Sequence, residues 1–95
     1  MNNIDKLMSY LETQIPECKV VSNRKSDLGV QRFYFRVGSK SKYVLQISDE
    51  LLDDSSLESL EAKLERSRLQ RLFSEHPEQI VALGQHGISF LPKTA

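Results

Sequence analysis

The side chains best suited to contacting a ligand lie in one short alternating run of the sequence. Arg32, Tyr34 and Arg36 are spaced two apart, and residues with this spacing share one face of a β-strand. Lys42 could join them from the next alternating run. A tyrosine between arginines can stack on a nucleobase while the guanidinium groups bind phosphate. These four residues are therefore predicted to contact a nucleic acid or a protein partner, although long side chains also cover exposed sheets without any ligand.

No group of residues in the sequence predicts catalysis, a cofactor or a metal ion. His76 and His86 do not have metal-ligand spacing with each other or with Cys18. A G-x-S-x-G elbow, a P-loop and a G-x-G-x-x-G motif are all absent from the sequence. The acid pairs at 49–50 and 53–54 suit the start of a helix for dipole reasons alone. We therefore expect no catalytic, cofactor-binding or metal-binding residue, and a protein that is not an enzyme.

A net charge of zero hides two opposed blocks of charge. Lys19 to Lys42 contains seven basic residues and one acid, whereas Asp49 to Glu61 contains six acids and no base. Such a distribution attracts a charged partner or neutralises itself across the fold. Because most of the acids coincide with predicted helix starts, the basic block is the first place to look for function.

Length and composition predict one compact domain over residues 1–95. The chain has 39% hydrophobic and 27% charged residues, which is ordinary for a globular domain. Cys18 is the only cysteine, so no intrachain disulfide can form and a reducing, cytoplasmic compartment is favoured. No run approaches the roughly 18 apolar residues of a membrane helix. We expect a soluble protein that does not bind membranes.

The first half of the chain reads as a helix followed by three antiparallel strands. Helical spacing predicts a helix over about 3–15, which Pro16 ends. Alternation then predicts strands near 18–23, 30–37 and 42–48, with a turn at 38–41. Their predicted core residues are Phe33, Phe35, Tyr43, Leu45 and Ile47. The opposite face, with Arg32 and Arg36, is expected to face solvent.

The second half predicts one long helix and a terminal hairpin. Ser48 can cap a single helical turn, and the capping box Ser55 to Glu58 begins a helix over about 56–74. The apolar positions of this helix drift around its surface, which leaves Leu69 and Phe73 as a candidate interaction surface. Two apolar runs around a glycine-bounded turn then favour a β-hairpin, although 77–83 could instead form a short helix. The predicted fold is α+β, in the order α-β-β-β-α-β-β.

Two families share parts of this order of elements. Over residues 3–73 the order resembles the double-stranded-RNA-binding domain, which binds phosphates with lysines at the start of its second helix. The corresponding segment here, Asp53 to Glu58, is acidic. That resemblance therefore implies an architecture and not RNA binding. With the last two strands included, the order is similar to small secretion chaperones, which dimerise and bind unfolded segments.

We expect a small non-catalytic binding or accessory protein that acts through contact with another protein or with a second copy of itself. Its size is typical of small bacterial or mobile-element genes. The alternative is a nucleic-acid-binding module that uses Arg32, Tyr34, Arg36 and Lys42.

Overall fold

The computed structural model describes residues 3–93 and has an α+β fold with its elements in the predicted order. The helices are α1 (Asn3–Gln14), α2 (Asp49–Asp54), α3 (Leu57–Ser67) and α4 (Leu69–Glu75). The strands are β1 (Lys19–Lys25), β2 (Val30–Val37), β3 (Lys40–Ser48), β4 (Gln79–Gly84) and β5 (Gly87–Pro92).

All strands belong to one five-stranded sheet with the order β1-β2-β3-β4-β5. The predicted meander β1-β2-β3 and the predicted hairpin β4-β5 are both present, so the segment 77–83 enters a strand and not a helix. The two parts join through β3 and β4, which run parallel with Leu45 beside Val81. Parallel neighbours need a long crossover, and α2 to α4 supply it.

The main core lies between one face of the sheet and the helices. Alternation along β2 and β3 turns Phe33, Phe35, Leu45 and Ile47 to this side, where each is fully buried. Phe73 of α4 meets Phe35 edge-on, with ring centroids 5.0 Å apart and planes at 65°. It also stacks on Tyr43 at 4.6 Å and 3°. These ring contacts fix α4 against the middle of the sheet.

Helix α1 is tied to its neighbours by two side-chain hydrogen bonds. The backbone N–H of Val20 in β1 donates to Oε2 of Glu12 at 3.0 Å. The hydroxyl of Tyr10 donates to the backbone carbonyl of Glu61 in α3 at 3.2 Å. Burial, with the nearby charges of Glu65 and Glu61, raises the pKa of Tyr10, so its hydroxyl remains a donor at neutral pH.

The predicted long helix over 56–74 is wrong, because the chain breaks it at Arg68. Arg68 has φ 54° and ψ 66°, a left-handed conformation that ends α3, and α4 begins at the next residue. The predicted cap is also displaced by one residue: Oγ of Ser56, not of Ser55, accepts a hydrogen bond from the N–H of Ser59 at 3.1 Å. The cap predicted at Ser48 is confirmed by its 3.2 Å bond from the N–H of Leu51.

The break at Arg68 explains why the apolar positions drift along the sequence. Each short helix has its own inward side, with Leu60 and Leu64 buried in α3 and Leu69 and Phe73 buried in α4. Leu69 is 3% exposed and Phe73 is 0% exposed. The prediction that these two residues form an interaction surface is therefore wrong, since both belong to the core.

We expect Arg68→Gly to stabilise the protein by about 1 kcal/mol, because glycine adopts the left-handed conformation without the steric cost that a side chain incurs. Lys63→Gly is the matched control, because it removes a positive charge from the interior of α3 and should destabilise by about 1 kcal/mol. Urea unfolding followed by circular dichroism measures both. Equal losses in the two variants would contradict the break at Arg68.

We expect Phe73→Ala to destabilise the protein by about 3–5 kcal/mol, because it empties the centre of the core. Leu28→Ala serves as the control, because Leu28 is 56% exposed in the β1–β2 loop and its truncation should change the free energy of unfolding by less than about 0.5 kcal/mol. Similar unfolding midpoints for the two variants would show that Phe73 is not a core residue.

Candidate binding surface

The two charge blocks of the sequence become two layers in the structure. The five strands carry seven basic side chains and no acid, whereas the four helices carry ten acids and four bases. The sheet is thus electropositive and the helical layer electronegative. Because all four helices contribute to the single core cluster on one face, the opposite face of the sheet has no covering layer in residues 3–93.

We name this uncovered side the open face and define it by the outward positions of the five strands. These positions are Lys19, Val21, Asn23 and Lys25 in β1, Val30, Arg32, Tyr34 and Arg36 in β2, Val44, Gln46 and Ser48 in β3, Ile80 and Ala82 in β4, and Ser89 and Leu91 in β5. Four of these side chains are basic and none is acidic. The open face is therefore a positively charged surface.

An apolar row crosses the open face from edge to edge. Strand pairing places Val21 opposite Tyr34, Tyr34 opposite Val44, and Ile80 opposite Leu91. Strands β3 and β4 run parallel, and Leu45 is paired with Val81. One residue earlier in both strands, the same register sets Val44 beside Ile80. Val44 and Ile80 are buried, Tyr34 and Leu91 are half-buried, and Val21 is 39% exposed. The face expected to be wet thus holds a second apolar cluster of its own.

The two arginines of β2 flank Tyr34, as predicted, and each guanidinium group donates one hydrogen bond within the chain. Nε of Arg32 donates to Oε1 of Gln46 at 2.9 Å, and Nη2 of Arg36 donates to the carbonyl of Ser39 at 3.0 Å. Nε of Arg36 is buried and has no hydrogen-bond partner within the described chain. Such a donor is costly to leave unpaired.

Lys19 of β1 is directly opposite Arg36. Like charges facing each other across a strand pair are destabilising, so this arrangement lowers the stability of the fold. Strand pairing thus sets a second basic residue opposite the arginine whose Nε has no hydrogen-bond partner in residues 3–93.

The structure separates Lys42 from the other three predicted contact residues. A β-bulge occurs where Phe35 pairs with Tyr43 and Arg36 pairs with Ser41, which leaves Lys42 without an opposite residue. Its ammonium group lies 5.3 Å from the ring centroid of Tyr43, a core-side residue. Arg32, Tyr34 and Arg36 remain together on the open face.

A cleft of about 240 Å³ lies at the other side of the sheet, between β1, β2 and the helices. Arg24 and Asp49 form a 2.9 Å ion pair at this cleft, which joins β1 to the start of α2. The Arg24 side chain is 64% exposed, and exposed pairs of this kind contribute little free energy. The cleft is lined mainly by residues that join these elements, and we assign it a structural role.

The groups most capable of chemistry are dispersed. His76 stacks on Phe90 at 3.9 Å, and its Nδ1 lies 3.1 Å from Oε1 of Gln79. His86 is exposed in the β4–β5 turn, and Cys18 is buried. Burial, with a smaller contribution from Glu17, raises the pKa of Cys18, which is the opposite of what an activated nucleophile needs. No three His, Cys, Asp or Glu side chains in residues 3–93 are grouped as metal ligands.

Comparison with known proteins found no match: no protein family, no curated protein and no solved structure matches this chain. Across residues 3–93, none of the helices is both long enough and apolar enough to cross a membrane.

Alternation correctly placed Arg32, Tyr34 and Arg36 on one outward face of β2 but did not reveal the apolar row around Tyr34. Val21, Val44, Ile80 and Leu91 are each visible as outward positions by alternation within their own strands. Their alignment depends on strand register and on the parallel pairing of β3 with β4, which no local pattern specifies. The only available signal was the number of apolar residues at positions expected to be wet.

We compare the free energy of unfolding of the unaltered protein with that of Cys18→Ala. We expect the difference between them to shrink as the pH rises above about 8.5, the ordinary pKa of a thiol. The folded-state pKa is raised, so the unfolded chain releases its proton first and the folded state loses relative stability over this range. Urea unfolding at pH 7.5 and 9.5 measures the change. Parallel pH dependence in the two proteins, or rapid labelling of Cys18 by a thiol reagent under native conditions, would contradict the burial of this thiol.

Proposed function

We propose that this chain is a small, non-catalytic binding protein that holds an acidic, partly apolar segment of another protein on its open face. The proposal rests chiefly on one observation: Lys19 and Arg36 are paired across β1 and β2, and the buried Nε of Arg36 has no hydrogen-bond partner among residues 3–93. A carboxylate between the two cations would pair with both, and a shift of the Arg36 side chain toward it would also give Nε a partner. The arrangement is unfavourable for the isolated fold and favourable for anion binding.

The chemistry of the open face favours a protein partner over a nucleic acid. The row beside the cationic pair is mainly aliphatic, and its accessible members are Val21 and Leu91 with the single tyrosine, since Val44 and Ile80 are buried. Aliphatic side chains fit apolar residues of a polypeptide, whereas single-stranded nucleic acids use aromatic stacking platforms. A segment that alternates acidic and apolar residues would satisfy both parts of the surface.

Nucleic-acid binding is the second candidate, because Tyr34 lies between Arg32 and Arg36 on one strand. One base could stack on the tyrosine while the arginines contact phosphates. This mode would depend on Tyr34 and not on the aliphatic part of the row.

We assign the protein to the cytoplasm. The support for this is the lone buried thiol, Cys18, which is compatible with a reducing compartment.

The test compares three fluorescent probes of equal negative charge by anisotropy: a peptide alternating glutamate and leucine, a peptide alternating glutamate and serine, and a single-stranded oligothymidylate. We expect the glutamate–leucine peptide to bind most tightly. Lys19→Gln/Arg36→Gln should weaken its binding at least about tenfold, because removal of both cations leaves carboxylates unpaired. Val21→Ser should weaken this peptide alone.

The matched control is Lys63→Gln/Arg66→Gln, which removes the same charge from α3 in the opposite layer and should leave affinity within about twofold. If the two double variants lose equal affinity for the peptide, the loss depends on net charge alone, and the proposed site is contradicted. Preferential binding of oligothymidylate that is lost in Tyr34→Ala would establish the nucleic-acid alternative instead.

A further inference from the structure

The two edges of the sheet differ in how they are protected against pairing with another strand. The β1 edge carries Lys19, Arg24 and Lys25, and the outward N–H of Val20 is occupied by the carboxylate of Glu12. Charges and covered backbone groups are the usual protection of an edge strand. The β5 edge, from Gly87 to Pro92, has no charged residue, and no side chain within residues 3–93 bonds to its backbone.

The geometry of the β4–β5 hairpin shows which backbone groups of β5 are free. Gly84 and Gly87 pair across a loop of two residues. Residues that flank such a loop exchange hydrogen bonds, and the antiparallel pattern then alternates along the strand. Ser89 and Leu91 therefore bond to β4, whereas the N–H and C=O groups of Ile88 and Phe90 point to the open edge.

We propose that β5 pairs antiparallel with β5 of a second copy of this chain, giving a symmetric dimer. In this pairing Ile88 exchanges backbone hydrogen bonds with the partner's Phe90, and Phe90 does the same with the partner's Ile88. The surface is self-complementary, as a two-fold interface requires. It uses the backbone edge of β5, at the opposite side of the sheet from Lys19 and Arg36, so either proposal can fail without the other.

Pro92 selects this register among the symmetric alternatives. A register centred on Phe90 would place Ile88 opposite the partner's Pro92, which has no N–H to donate. A register centred on Ile88 would place Phe90 opposite the partner's His86, which lies in the turn and not in the strand. Only a register centred on Ser89 pairs both the N–H and the C=O groups of Ile88 and Phe90 with strand residues of the partner.

The side chains are compatible with this pairing. Ile88 is 40% exposed on the helix-covered side, where it would lie opposite the partner's Phe90 as an apolar pair. Ser89, which is exposed on the open face, would meet the partner's Ser89 across the two-fold axis. The two open faces would then form one continuous surface, with the basic β1 strands at its outer edges.

Disulfide trapping tests the axis directly. We expect Ser89→Cys to form a covalent dimer on air oxidation, because residues opposite each other at such a position have Cα atoms about 4.5 Å apart, within the range of a disulfide. The matched control is Asn23→Cys, an exposed outward position on the other edge strand, which should remain monomeric on a non-reducing gel. The unaltered chain controls for Cys18.

Charge pairing tests the register without a covalent bond. Ser89→Asp alone and Ser89→Lys alone should each weaken dimerisation in sedimentation equilibrium by at least about fivefold, because like charges meet at the axis. An equimolar mixture of the two variants should restore the dimer. Since Ser89 is exposed in the single chain, neither substitution should alter the circular dichroism spectrum.

A chain that remains monomeric at millimolar concentration would overturn the proposal. So would a dimer that Ser89→Asp leaves intact, or a mixture of the two charged variants that fails to associate. Open polymers in place of dimers would indicate β5-to-β1 pairing and would also overturn it, because head-to-tail pairing of this kind does not close.

Discussion

The contact of Phe73 with Phe35 and Tyr43 is the constraint on which the rest of this fold depends. It joins the crossover helices to the middle of the sheet, between the two parts of the chain that supply the strands. With α4 held there, the chain can re-enter beside β3 as a parallel strand and complete a single sheet. The left-handed residue Arg68 turns the chain between α3 and α4, so that the apolar side chains of both helices reach the same core.

One-sided coverage of the sheet also organises the charges. A strand with one buried face must place its polar residues on the other, and the basic residues of β1 and β2 mostly follow this rule. The acids occupy helix starts, where they complement the helix dipole, or exposed helical positions. Although the net charge is zero, the positive charges lie mainly on the sheet and the negative charges mainly on the helices. The negative layer has local structural reasons, whereas the opposition of Lys19 and Arg36 has none within the fold.

Much of the architecture was accessible from the sequence because short-range periodicity specifies it. Alternation located β2 and β3 and their core residues, and helical spacing located α1. The break at Arg68 was not accessible, because no glycine or proline marks it, and the misassigned exposure of Leu69 and Phe73 follows from that omission. On the open face, alternation placed Arg32, Tyr34 and Arg36. It could not reveal the bulge that removes Lys42 or the register that aligns the apolar row.

The open face and the exposed β5 edge have the same origin, because all four helices pack on one side of the sheet. Four helices on one side leave the opposite face to aliphatic residues and long cations, whose side chains bury Val44 and Ile80 without a covering layer in residues 3–93. Helix α1 protects the β1 edge through Glu12, and no equivalent element in residues 3–93 protects β5. Antiparallel pairing at β5 keeps the helices of both copies on one side, so it would enlarge the open face without covering it. Each surface is thus left free by the packing that forms the core, and neither blocks the other.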